Sequence, residues 1–291
     1  MTPEEAAFQQ WLLENSILTE NDKVFGDISL EEQSIRDQRP WKKDPHYFKH
    51  VKISAVALLK LVTHAHSGKN LEVMGIMTGR VSANTFIVLD AFPLPVEGTE
   101  TRVNAQAEAD VYNTEFRRLS EELGRTEYSV GWYHSHPSYG CWLSGIDVMT
   151  QKSNQMLDPF VAVVIDPVRT AAAGRVEIGS FRTFPDDYTA PSTRAECEVI
   201  PTDKMQDFGA HANSYYQVKT TFFKTSRDDF ILRSLWRRFW AQTLSSRSLV
   251  SSANFLVDCA SDVVAKLKQK MKINPLPFLR LTVCLVIYLG D

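Results

Sequence analysis

The chain has 291 residues, with 32 Lys plus Arg against 35 Asp plus Glu and a formal charge of −3, so it has no basic surplus for neutralising phosphates and argues against a dedicated nucleic-acid binder. At 44% hydrophobic and 23% charged it has the composition of a globular protein, which excludes disorder and collagen-like repeats. Cys141, Cys197, Cys259 and Cys284 are too dispersed for a disulfide scaffold or a C-x-x-C zinc site, which suits a reducing compartment, and the acidic start Met-Thr-Pro-Glu-Glu predicts neither a signal nor a transit peptide.

Pro3, Glu4 and Glu5 suit a helix start, and Phe8, Trp11, Leu12 and Leu18 fall on one stripe, which predicts a docking helix over residues 4–18. The polar stretch from Asn21 to Asp44, with Pro40 and Pro45 at its end, reads as a linker or an arm over the main body. Residues 1–45 therefore form an N-terminal helix and arm, and the core domain is expected over 46–225. A strand near Tyr47 to Ile53, a helix near Ala55 to His66, and strands over Leu71 to Thr78 and Thr85 to Phe92 joined by a turn near Ser82 to Asn84 give a β-α-β-β opening. After a loop from Pro93 to Asn104, a helix carries Tyr112, Phe116, Leu119 and Leu123 at spacings of 4, 3 and 4, a stripe expected to pack on the sheet.

Tyr128 to His136 alternates as a strand, a helix follows from about Gly145 to Met156, and Phe160 to Asp166 and Gly174 to Phe184 supply two more strands. Beyond the Pro- and Asp-rich stretch from Pro185 to Pro201, a strand near Tyr215 to Phe223 precedes a helix with Leu232, Leu235, Trp236, Phe239 and Trp240. A last helix repeats Leu249, Ala253, Leu256, Ala260, Val263 and Leu267 at alternating spacings of 4 and 3, a stripe that serves internal packing or a partner helix equally well. Helices thus occupy 226–272, and an apolar tail fills 273–291. Its run from Phe278 to Leu289 falls short of the ~20 apolar residues of a membrane span. The fold class is α/β, a mixed sheet with helices on both faces.

Two H-x-H pairs occur, His64-Ala65-His66 and His134-Ser135-His136. On a strand, residues i and i+2 share a face, whereas on a helix they lie about 200° apart, so only His134 and His136 can converge on one ion. His64 and His66 read as solvated histidines at a helix end. Downstream of the strand pair come Ser144 and Asp147, and two imidazoles with one carboxylate make three zinc ligands with a fourth position open to water, the catalytic pattern. Ser144 and Asp147 read equally as a helix capping box, and the two readings are compatible. Glu72 interrupts an apolar run; a buried carboxylate needs a partner, so it is either a strand-end acid reaching solvent or a general base beside the metal. Cys141 is either a soft ligand or thiol near the site or a small packed residue. No H-E-x-x-H, zinc-deaminase, G-x-S-x-G, P-loop or G-x-G-x-x-G signature is present.

Glu72, His134-x-His136, Ser144 and Asp147 together resemble the JAMM motif of the MPN-plus metalloproteases. The runs Leu-Glu-Val-Met-Gly, Pro-Val-Glu-Gly-Thr-Glu-Thr-Arg-Val-Asn-Ala-Gln (95–106), Gly-Trp-Tyr-His-Ser-His-Pro, Tyr-Gly-Cys-Trp-Leu-Ser-Gly-Ile-Asp and Pro-Phe-Val-Ala-Val-Val-Ile-Asp-Pro are similar to the signalosome branch of that family, over roughly residues 4–270. The resemblance implies an MPN domain with a C-terminal helical extension that joins other signalosome subunits, including a second MPN subunit and helical-bundle partners, in the cytoplasm and nucleus. It implies one zinc per chain held by His134, His136 and Asp147, Glu72 as the proton-transfer base and Ser144 as oxyanion donor. The implied substrate is the isopeptide bond joining the ubiquitin-like modifier Nedd-eight to a cullin lysine in cullin-RING ligases. A ubiquitin-directed relative of the proteasome-lid type and a non-catalytic MPN scaffold are the alternatives.

The loop from Pro93 to Asn104 corresponds to the first insertion of that family. Its Glu97, Glu100 and Arg102 are expected to restrain the site, a carboxylate blocking the open metal position and Arg102 pairing with Asp147, until partners and substrate move the loop. Two departures stand out. Ser138 replaces the glycine usual after His-Pro, and Asn274-Pro-Leu-Pro with the apolar tail replaces the polar helical extension.

Overall fold

The structure is a computed structural model and describes residues 3–26, 28–95, 107–156, 159–188, 200–236, 260–264 and 266. Helix α1, Pro3–Glu14, buries Phe8, Trp11 and Leu12 against the main core. It stops earlier than the stripe predicts: Ser16 turns left-handed at φ 51°, and Leu18, in strand β1 (Leu18–Thr19), is 58% exposed. β1 pairs with a strand some 200 residues downstream.

The polar stretch is not a bare linker. It contains a 3-10 turn over Asp22–Phe25 and helix α2, Leu30–Gln38, opened by a Ser29/Glu32 capping box. α2 lacks an apolar stripe because polar groups hold it down: Glu32 is buried 3.7 Å from Arg80, and the Arg36 guanidinium lies 3.9 Å over the Tyr128 ring.

Strand β2, His50–Ser54, runs into helix α3, Ala55–Ser67, where Ser54 caps the start and Leu58, Leu61, Val62 and Ala65 are buried. Strands β3 (Met74–Ser82) and β4 (Thr85–Pro93) form the expected hairpin. Helix α4, Ala107–Glu122, departs from expectation: Tyr112, Leu119 and Leu123 are exposed, Phe116 stacks on Phe92 at 3.7 Å between ring centres, and Tyr112 touches the same ring at 6.2 Å. Its aromatic contact with the sheet is made through Phe92 of β4.

Strand β5, Tyr128–Ser135, sits centrally, and helix α5, Gly145–Gln155, follows. Strand β6, Val161–Ile165, parallel to β5 and antiparallel to β7, is buried throughout, which its unbroken apolar run matches. The short helix α6, Pro167–Ala173, lies where the sequence reading placed only a connection; Asp166 at its N-cap and Pro167 at its first position mark it. Strand β7 (Ile178–Thr183), helix α7 (Met205–His211), strand β8 (Tyr215–Lys224) and helix α8 (Ser226–Trp236) complete the described elements.

The strand order is β1-β8-β2-β4-β3-β5-β6-β7, with β7 pairing back onto β8. The mixed sheet therefore curls until its last strand meets its second. One core fills the space between α1, α3 and the inner face, and a second lies under α5 around Trp132, Leu143, Val148 and Val164. A third cluster of Tyr139, Trp142, Ile200 and Phe208 roofs the strand end that carries the histidines. No described helix is long and apolar enough to cross a membrane. Of the last predicted stripe, Ala260 and Val263 are helical, with Val263 exposed. Leu249, Ala253, Leu256, Leu267 and the tail lie outside the described residues, as do Phe239 and Trp240.

Candidate metal centre

The period of two along β5 decides the site. Trp132, His134 and, just past the strand, His136 emerge on one face. Trp132 stacks on His134 with ring centres 4.6 Å apart and planes 12° from parallel, and its Nε1 donates to Gln151 Oε1 at 2.8 Å. The stack holds the ring while its buried Nδ1 has no hydrogen-bond partner and its Nε2 faces the other histidine. The His136 backbone N–H donates to the Ile165 carbonyl of β6, so the residue stays tied to the sheet beyond the strand end.

Helix α5 begins beside this edge. Ser144 and Asp147 form a true capping box: Asp147 N–H donates to Ser144 Oγ, and the Ser144 N–H and hydroxyl both donate to Asp147 Oδ2, at 2.9 and 2.6 Å. The same Oδ2 lies 3.4 Å from His134 Nε2 and 3.7 Å from His136 Nε2. Capping and convergence are thus one arrangement: the N3 acid turns back to the N-cap and thereby faces the histidines.

The donor chemistry fits a zinc ion. The two Nε2 atoms are 3.0 Å apart, and with the carboxylate oxygen they form a group whose atoms lie within 4.8 Å of one another. Ligands about 2.0–2.1 Å from a tetrahedral ion are separated by roughly 3.3 Å, which the 3.0, 3.4 and 3.7 Å edges bracket. His136 Nδ1 faces the Gly140 carbonyl at 3.0 Å; a carbonyl only accepts, so the proton sits on Nδ1 and the Nε2 lone pair points into the site. Burial disfavours charge on both His134 and Asp147. Their mutual attraction overcomes it, holding Asp147 well below the ordinary carboxylate range and raising His134, with Glu72 adding to the latter shift. The site therefore favours positive charge at the point where the three side chains meet.

Glu72 is buried, and its partner is Tyr139, whose hydroxyl donates to Glu72 Oε1. Burial, then the nearby Glu72 charge, raises the Tyr139 phenol, so it keeps its proton and donates. Glu72 precedes β3 rather than lying in it. The reciprocal bonds of Val73 N–H to Ser135 Oγ and Ser135 N–H to the Val73 carbonyl bring this acid to the end of β5. Tyr139 stacks on His136 at 4.4 Å, linking acid and ligand.

Ser138, the departure from the family pattern, has φ 75°, a left-handed conformation in which a side chain is strained and glycine is not. Cys141 is a half-buried, small packed residue whose thiol faces the Glu177 carbonyl, and burial pushes its pKa up, away from thiolate reactivity. His64 and His66 do not meet the ion site, but His64 is not simply solvated: its Nδ1 is 2.8 Å from the Tyr133 hydroxyl. Glu97, Glu100 and Arg102 lie outside the described residues.

Sequence reasoning missed Tyr139, Trp132 and Asp166. The aromatic residues crowded around the histidines were the available signal for the first two.

The fold is that of an MPN domain. Residues 46–160 match the family described as JAB1/Mov34/MPN/PAD-1 ubiquitin protease. The COP9 signalosome complex subunit 5 of Drosophila melanogaster is 51% identical over 91% of this chain and 82% of its own length. That of Dictyostelium discoideum is 50% identical over 90% and 80%, and that of Emericella nidulans 53% identical over 86% and 77%. The chain belongs to the COP9 signalosome subunit 5 family.

Proposed function

We propose that the chain is a zinc-dependent isopeptidase that removes Nedd-eight from cullins. It does so as the catalytic subunit of a signalosome, beside a second MPN subunit and helical-bundle partners, in the cytoplasm and nucleus. The observation that carries the reading is the convergence of His134, His136 and Asp147 next to the buried Glu72. A scaffold has no need for an acid held at that cost. The relatives' names, as signalosome subunits, support the assembly.

His134, His136 and Asp147 would hold one zinc through Nε2, Nε2 and Oδ2. When bound, zinc supplies a Lewis acid that lets water act as a nucleophile at neutral pH and polarises the scissile carbonyl. Glu72 accepts the proton of the attacking water and returns it to the departing lysine amine. Tyr139 fixes the carboxylate through Oε1 and leaves Oε2 for that transfer. Ser144, its hydroxyl at the rim of the site, turns its proton from Asp147 to the developing oxyanion. Glu97, Glu100 and Arg102 restrain the isolated chain until assembly, so the lone chain should turn over far more slowly than the complex.

The test is release of the modifier from a neddylated cullin by the assembled complex, with wild type or Glu72→Gln. Cleavage by wild type alone, with equal zinc in both, supports the reading. Equal cleavage by the variant overturns the role of Glu72, and cleavage of ubiquitin conjugates in preference to neddylated cullin turns the assignment to a ubiquitin-directed enzyme.

A further inference from the structure

Asp166, just past the end of β6, closes one of the family-like runs but is given no role by the metal motif, yet it is fully buried and accepts from several donors. Its Oδ1 accepts the backbone N–H groups of Ser138, Val168 and Arg169 at 3.1, 3.0 and 2.9 Å. Its Oδ2 accepts the Gly140 N–H at 2.9 Å and lies 3.2 Å from Arg169 Nε. Two of these bonds cap α6. The other two reach across to the loop that follows the histidines, and a helix cap has no use for them.

That loop runs left-handed at both gripped residues, with strain at Ser138 and a glycine where the second turn falls. Ser138 and Gly140 have φ 75° and 87°, and a side chain at Gly140 would also press on the Arg169 guanidinium, 3.1 Å from its Cβ. Strained backbone persists where its surroundings over-determine it, and here one carboxylate holds both N–H groups. The Gly140 carbonyl receives His136 Nδ1–H, and Tyr139, between the two gripped residues, stacks on His136 and donates to Glu72. Fixing residues 138–140 therefore fixes the tautomer and tilt of a metal ligand and the placement of the base.

We propose that Asp166 is a positioning residue, which, by gripping the Ser138 and Gly140 N–H groups, aims His136 at the metal through the Gly140 carbonyl. The proposal rests on the metal reading above. Groups that orient a ligating histidine typically change metal affinity about 10- to 100-fold when altered. Asp166→Asn is the informative variant: asparagine caps a helix as well as aspartate does, but an amide cannot accept on both sides, so the grip on Gly140 is lost while the cap on α6 is kept. Thr170→Ala is the control, since Thr170 Oγ1 accepts the Glu177 N–H within the same α6 region without touching the loop.

Zinc affinity is measured by competition with a chromogenic chelator, and ligand geometry by the visible absorption of the cobalt(II)-substituted chain. Asp166→Asn should bind zinc about 10- to 100-fold more weakly, with an altered cobalt spectrum, while Thr170→Ala keeps both as in wild type. If Asp166→Asn does not fold, Gly140→Ala, which displaces the same carbonyl, should show the same two changes. Wild-type affinity and spectrum in folded Asp166→Asn, or in Gly140→Ala where that stands in for it, overturn the proposal alone. Equal weakening in Thr170→Ala overturns it as a general effect of destabilisation. A wild-type chain that binds neither zinc nor cobalt overturns the metal reading and the proposal with it.

Discussion

His64-Ala65-His66 and His134-Ser135-His136 have the same spacing and opposite outcomes. On α3 the two side chains diverge: His64 turns inward to the Tyr133 hydroxyl, and His66 is exposed. At the end of β5 the same spacing brings two Nε2 atoms to 3.0 Å. Backbone periodicity, rather than the tripeptide, makes the metal site. The pairs are also neighbours, since Tyr133, which receives His64, precedes His134 on β5 and points to the opposite face, into the main core.

Substitutions can break this contrast from its strongest side first. Asp147→Ala removes a ligand and the side-chain half of the capping box, leaving the backbone N–H of residue 147 on Ser144 Oγ, and should abolish metal binding as well as cost about 1 kcal/mol of stability, read by zinc analysis and denaturant unfolding. Glu72→Gln should keep zinc and lower turnover by roughly 10²–10⁴; a milder loss would point to another base. Ser144→Ala should keep zinc and lose about 3 kcal/mol of transition-state stabilisation, a hundredfold or more in rate, and unchanged turnover would remove it from the oxyanion role.

The helical pair should respond weakly. Tyr133→Phe deletes the hydrogen bond to His64 and should cost about 1 kcal/mol by denaturant unfolding, with zinc content unchanged. Burial depresses the His64 pKa, so the unfolded chain takes up this proton more readily. This contribution to stability is complete above the unfolded pKa of ~6.5 and falls as pH drops through and below it. His64→Gln should flatten that part of the stability–pH profile; an unchanged slope would contradict the assignment.

How much of this was legible in the sequence follows from how local each signal is. His134, His136, Ser144 and Asp147 could be placed because strand periodicity and helix capping act over a few residues. Glu72 could be singled out as an acid in an apolar run, but not its partner, because Tyr139 reaches it through a loop 67 residues further on. Asp166 looked like a strand end for the same reason. Helix α2 was hidden because Arg80 and Tyr128, distant in sequence, hold its polar surface, and the α4 stripe misled because periodicity does not say whether a partner face exists. The return of β7 onto β8 is likewise a pairing that no local pattern announces.

The central claim is that the strand pair, with Asp147, holds a metal and the helical pair does not. The direct measurement is zinc per chain, by elemental analysis after dialysis against a weak chelator, in wild type, His136→Ala and His66→Ala. The account predicts about one zinc in wild type and His66→Ala and none in His136→Ala. A folded wild-type chain without zinc, or His136→Ala retaining it, would contradict it.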